Sequence, residues 1–292
     1  MGTSSSSTGS PSGGRIVPDW TPPPPVGPPA DAGGQDGAAA DDGAADGGTD
    51  AGGNDGQDAP VAAPVLILAP RARFAPARTH LGDFARSGSG ASMRRGIGHY
   101  VRKGLQGSRG AVGRFGGSAH TAGSLYGALS SLAGGTAEPG SPLDRAILTG
   151  RSAKEVMAAV IEAVRPVDGT QDAEAARDAM KHALSAVLDQ FPDADLLDLT
   201  EDQRLFAIER YLALDVFNRA CLDIGKAIMG NAPSAASGLS RLGEVRDYIR
   251  ETVAASFRKL WAGGTALSAQ RVAVMARDAL REAFLVFQAE AS

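Results

Sequence analysis

Four histidines, one cysteine and scattered carboxylates are the side chains of this 292-residue sequence that could hold a metal or move a proton. A metal site needs several donors converging on one ion, which in a helical chain means ligands about one turn apart. His80, His99, His120 and His182 show no such spacing to one another or to Cys221. Asp178 and His182 do stand four residues apart, the spacing of an ordinary helix-surface pair. No metal and no cofactor is therefore expected. Cys221 lies within an apolar stretch, where the thiol reads as a small buried hydrophobe and not as a nucleophile. Ser87-Gly88-Ser89-Gly90 could cradle an anion with backbone N–H groups at a helix start, but it lacks a preceding strand and a Gly-Lys-Ser/Thr ending. It reads as a flexible helix start. Glu201-Asp202 reads as the acidic bias of a helix N-terminus, not as an acid/base pair. With no catalytic residue to assign, the chain is expected not to be an enzyme.

Charge offers a second kind of chemistry. Residues 71–114 carry about ten Lys and Arg against Asp83 alone, although the whole chain has a net charge of -4. Arg94, Arg95, Arg102, Lys103, Arg109 and Arg114 could displace counterions from a nucleic-acid backbone, with Tyr100 and Phe115 stacking on unpaired bases. Against this stands solvation of the charges, or their pairing with the acidic residues of the N-terminal region.

The elements that must position these groups read as helices. Leu81, Phe84, Ala85, Met93, Ile97, Tyr100 and Val101 recur at three- and four-residue steps, so helix is expected from about Ala77. Gly104, Gly107, Gly110, Gly113 and Gly116 follow at every third position, which predicts a loop or a poorly stable helix at a cost of about 1 kcal/mol per glycine. Ser118 is expected to open a helix through Leu125, Leu129 and Leu132 that Gly134-Gly135 stops. Two capping boxes, Ser152 to Glu155 and Thr200 to Gln203, predict helix starts. Pro166 closes the first of these helices, and a helix from about Asp172 to Gln190 lies between the boxes and ends before Pro192. The stripe Leu239, Leu242, Val245, Ile249, Val253, Phe257 and Leu260 and a last one from Leu267 to Phe287 complete about five C-terminal helices. No strand pattern of any length and no repeat of a solenoid appears. The fold class expected is all-α, an irregular helical bundle preceded by a long disordered N-terminal arm.

Composition divides the chain into a Ser/Gly, Pro-rich and Asp/Gly/Ala-rich arm at 1–70, a basic Gly-rich helical segment at 71–140 and a helical bundle at 141–292. Residues 1 to 60 hold nine Asp and almost no large aliphatic, so they cannot bury enough surface to offset about 1–2 kcal/mol of ordering entropy per residue. One island stands out there: Ile16, Val17 and Trp20 could dock on a partner. Val65-Leu66-Ile67-Leu68 is too short to assign. A single cysteine fits a reducing compartment, and the N-terminus shows no secretory signal and no apolar run of the ~18–20 residues that span a bilayer. The expected location is the cytoplasm, with no membrane partner.

The opening Met1-Gly2-Thr3-Ser4-Ser5, the leader ending Val17-Pro18-Asp19-Trp20, and Arg73-Phe74, Phe84-Ala85-Arg86-Ser87-Gly88 and Tyr100-Val101 resemble the QatB family of the four-protein Qat anti-phage defence system. The resemblance rests on the first 120 residues or so, and the C-terminal helices carry no motif of it. It implies a non-enzymatic defence component acting with a QatA-like ATPase, a QatC (QueC-like) enzyme and a QatD (TatD-like) nuclease. QueC-like enzymes of such systems are associated with joining a deazaguanine to an N-terminal glycine, which makes Gly2 the expected modification acceptor. A nucleic-acid-binding adaptor built on residues 71–114 is the alternative.

Overall fold

A computed structural model describes residues 72–261 and 267–291. The expected arm, Gly2, the island of Ile16, Val17 and Trp20, and the run Val65 to Leu68 lie outside the described residues. Those described form helices and short connections, with no strand among them, so the fold is all-α. Ten α-helices follow in order among them: α1 Ala75–Ser87, α2 Gly90–His99, α3 Gly107–Arg114, α4 Gly116–Gly134, α5 Arg145–Leu148, α6 Ala153–Val164, α7 Gln171–Gln190, α8 Glu201–Asn231, α9 Ala235–Leu260 and α10 Ala269–Ala289. Among these residues no helix is long and apolar enough to cross a membrane.

Local sequence sets most of the boundaries. Both capping boxes form: Ser152 and Thr200 accept from the backbone of the third residue onward, and Glu155 and Gln203 reach back. Thr170, Ser234 and Ser268 cap α7, α9 and α10 in the simpler one-way manner. Gly88 ends α1 and Gly135 ends α4 in the left-handed conformation that carries no steric cost for glycine. Ser89 then caps α2, so the Ser-Gly-Ser-Gly run is a stop followed by a start.

Three expectations are corrected. Of the loop or poorly stable helix expected for the glycine steps after Tyr100, the loop is overturned: a π-helical turn, Tyr100–Gly104, leads into α3 and α4. Gly104 leaves room for the Phe74 ring and Gly107 for the Gln288 side chain, whereas Gly113 and Gly116 face open space. Ser118 is not the cap but the third residue of α4, within its first turn and fully buried. Leu239 lies outside the apolar stripe of α9 and is 64% exposed.

The described residues form one compact unit. Phe84, Phe115, Leu125 and Leu129 from the basic Gly-rich segment share one core with Met180, Tyr211, Phe257 and Phe284 from the later helices. The long α8 runs through it, packed against α1, α4, α7 and α9, while α10 packs against α2, α3, α4 and α9.

Candidate functional site

Asp215, Arg219 and Asp223 recur every four residues and so share one face of α8. That face is where the basic segment is tied down. Asp215 is fully buried and accepts from the Ser118 hydroxyl of α4 and from Arg219 Nε at 3.1 Å. Arg219 reaches on to Asp172 at the start of α7, 3.2 Å away, with Phe115 beneath its guanidinium. Arg114, at the end of α3, lies between Asp223 at 3.4 Å and Asp172 at 3.8 Å. Asp223 also accepts from the Tyr100 hydroxyl at 3.0 Å, and its carbonyl accepts from Arg78 at 2.7 Å. Burial raises the Asp215 carboxyl above the ordinary range against the pull of Arg219, and burial with Asp223 nearby raises the Tyr100 phenol well above its own. A chain of ion pairs and hydrogen bonds thus links α1, the π turn, α3, α4, α7 and α8.

This network decides what is left of the basic stretch. Arg114 is committed to two carboxylates, and Arg94 makes only a loose approach to Glu290 at 3.9 Å. Arg95, Arg102, Lys103 and Arg109 are exposed and meet no carboxylate among the described residues. Arg102 and Lys103 flank His99, whose ring stacks on His80 at 5.0 Å. Burial first, then the nearby His80, Arg102 and Lys103, lower the His99 pKa below its ordinary value. Tyr100 and Phe115 do not offer the stacking surface expected of them: they are 2% and 0% exposed, one bound to Asp223, the other packed on Phe284. Cys221 is partly buried, and burial pushes its thiol up to about 11, far from a nucleophile's range. His182 bonds back to the Asp178 carbonyl at 2.9 Å as a helix-surface pair.

Beyond the network, the family model of the Qat anti-phage system associated protein QatB matches residues 106–287, more than half of the chain. The chain belongs to the QatB family. The match spans the C-terminal helices, where the sequence shows no recognisable motif of the family, and stops short of the leader that carries the resemblance. In this QatB-family chain the matched region contains Arg109, Arg114 and the carboxylates of the network, whereas Arg94, Arg95, Arg102 and Lys103 precede it. No curated protein and no solved structure matches the chain significantly.

One further grouping in the QatB-family body escapes a reading of the sequence. A cleft of about 410 Å³ between α7, α8 and α9 is lined by Asp189, Phe206, Arg210, Leu214, Arg246 and Arg250, with His182 beside it. Arg246 and Arg250 stand one helical turn apart on α9, a spacing visible in the sequence. Their convergence with Arg210, some forty residues earlier on α8, is not visible there. Among the described residues no three His, Cys, Asp or Glu side chains group as metal ligands would.

Proposed function

We propose that this QatB-family chain serves the Qat anti-phage system as a non-catalytic interaction component, handled by its partner proteins and performing no reaction itself. The family match across the helical body carries this reading. The charge network supports it, because the polar groups that converge inside the body are spent on joining helices. The partners proposed are a QatA-like ATPase, a QatC (QueC-like) enzyme and a QatD (TatD-like) nuclease, acting together in the cytoplasm. Gly2 is the proposed acceptor of a deazaguanine from the QueC-like enzyme, and Ile16, Val17 and Trp20 the proposed docking anchors. Co-expression with that enzyme followed by intact-mass and peptide spectrometry should show an adduct on the Gly2 peptide. An unchanged mass removes the acceptor role. Trp20→Ala should reduce co-purification with the partners, and undiminished recovery would remove the docking role.

A second reading is favoured by the charge of Arg95, Arg102, Lys103 and Arg109, which meets no carboxylate among the described residues: a nucleic-acid-binding adaptor. It requires binding that weakens steeply with salt. Each of Arg94, Arg95, Arg102 and Lys103 that neutralises a phosphate should, when replaced by Ala, make that salt dependence shallower by about 0.7–0.9 in logarithmic slope. Arg114→Ala should instead lower stability, since that guanidinium is engaged internally.

A further inference from the structure

In the cleft between α7, α8 and α9, cations outnumber the carboxylates that face them. Its volume of about 410 Å³ falls within the ~300–1,000 Å³ of small-molecule sites. Arg210, Arg246 and Arg250 meet there, opposed by Asp189 in the wall and by Asp247, which holds Arg250 at 3.2 Å and Arg246 at 3.8 Å. Asp247 is shared by two guanidiniums, and Glu209, next to Arg210, is taken by Arg258 at 3.0 Å, so among the described residues the three arginines of the cleft exceed the carboxylates left to them.

Arg210 shows the consequence. Its guanidinium lies over the Phe206 ring, 4.8 Å from the centroid, and its Nε is buried with no hydrogen-bond partner among the described residues. Burial first and then the charge of Arg250 lower its pKa, with Glu209 pulling the other way, and an incoming anion would favour the charged form. The apolar part of the wall is Phe206, propped edge-on by Phe191, with Leu214 and Ala186, and His182 and Gln190 add polar groups at α7. Guanidinium forks match phosphate oxygens two at a time, and a guanidinium layered on an aromatic ring is a surface on which a flat base stacks. The other cleft of similar volume, beside Cys221, is lined by Glu174 and Asp178 without a single Lys or Arg, and so presents no cation to an anion.

We propose that this cleft binds a small phosphorylated ligand of the mononucleotide class, its phosphate held between Arg246 and Arg250 and its planar end laid against Arg210 and Phe206. The site is separate from the basic residues of α2, the π turn and α3, and does not depend on any particular Qat partner.

Calorimetric titration of the full chain at low salt tests this with three probes: guanosine monophosphate, inorganic pyrophosphate and citrate. The nucleotide should bind more tightly than pyrophosphate, and citrate least. Arg246→Gln with Arg250→Gln should weaken the nucleotide at least about tenfold, as expected for loss of charge-assisted hydrogen bonds. Phe206→Leu should weaken the nucleotide more than pyrophosphate, while Arg95→Ala with Arg102→Ala and Lys103→Ala should leave nucleotide binding unchanged. If the glutamine pair does not fold, Arg246→Lys with Arg250→Lys reads the same effect by keeping charge and losing the fork. On the unsubstituted protein, guanosine monophosphate should slow hydrogen exchange around residues 246–250. The proposal is overturned by equal binding of citrate and nucleotide, by nucleotide binding indifferent to the arginine substitutions, by a single-stranded oligonucleotide binding there when the nucleotide does not, or by no binding at millimolar concentration.

Discussion

His99 titrates inside the field of its neighbours and therefore reports on the basic segment. Its pKa is depressed by burial and by His80, Arg102 and Lys103, so the folded protein holds fewer protons on it than the unfolded chain does just below pH 6.5. Its stabilising contribution is complete above the unfolded value and is lost as pH falls through the folded one. Stability should therefore fall on mild acidification, and His99→Gln should flatten that slope in denaturant titrations run at successive pH values. Replacing Arg102 and Lys103 by Ala should move the His99 titration back up toward 6.5, as read by NMR. A polyphosphate docked on this segment should move it up in the intact protein. Asp215 makes the opposite kind of case, since it is buried and paired. Asp215→Ala leaves Arg219, only 7% exposed at its side chain, without its inner partner, which should cost about 3–5 kcal/mol of unfolding free energy. Asp215→Leu combined with Arg219→Met should recover much of that loss, because the desolvation of both charges disappears with them. A double variant as unstable as Asp215→Ala would show that the site's packing, not its charge, is at stake.

Between elements, glycine substitutions should split by what they face. Gly123 on α4 lies where α10 crosses: a Cβ there would stand 2.5 Å from the Ala269 carbonyl oxygen and 2.8 Å from the Ala273 Cβ, both fixed to helical backbone. Gly123→Ala should therefore destabilise by about 1–3 kcal/mol despite better helix propensity. Gly243, in the middle of α9, has nothing within 4 Å, so Gly243→Ala should stabilise by about 0.5–1 kcal/mol. Equal signs in thermal unfolding would refute the close approach of α4 and α10. The same contrast separates what is legible in the sequence from what is not. Helix starts at Ser152 and Thr200 and stops at Gly134-Gly135 are written in three or four adjacent residues, and they form where expected. The turn at Gly107-Ser108, which meets Gln288, and the role of Ser118, which donates to Asp215, depend on partners about a hundred or more residues away, so propensity alone misjudges them. The candidate sites divide likewise. Arg95 and Lys103 are exposed, as a charge run suggests, but the capture of Arg114 by Asp172 and Asp223 and the burial of Tyr100 and Phe115 follow from the tertiary packing alone.

At the scale of the whole molecule, composition separates residues 71–140 from 141–292, but packing joins them. Of the twelve largest fully buried side chains, seven come from the earlier segment: Leu81, Phe84, Ile97, Phe115, Leu125, Leu129 and Leu132. At about 1.5–3 kcal/mol each, their burial amounts to roughly 10–20 kcal/mol, as large as the whole net stability of about 5–15 kcal/mol usual for a domain. Their removal would also uncover Tyr211, Met180 and Phe284 and leave Asp215, Asp172 and Asp223 without Ser118, Arg114 and Tyr100. A chain restricted to residues 141–292 should accordingly show no cooperative melt by circular dichroism, whereas one spanning 72–292 should unfold in a single transition. In the longer chain the slowest amides of α4 and α8 should exchange with the same free energy, since neither helix can open without unpacking the other. Should the shorter chain melt cooperatively, or α4 exchange well before α8, the basic segment would be an appendage to the bundle, and its exposed cations could be moved or replaced without touching the rest.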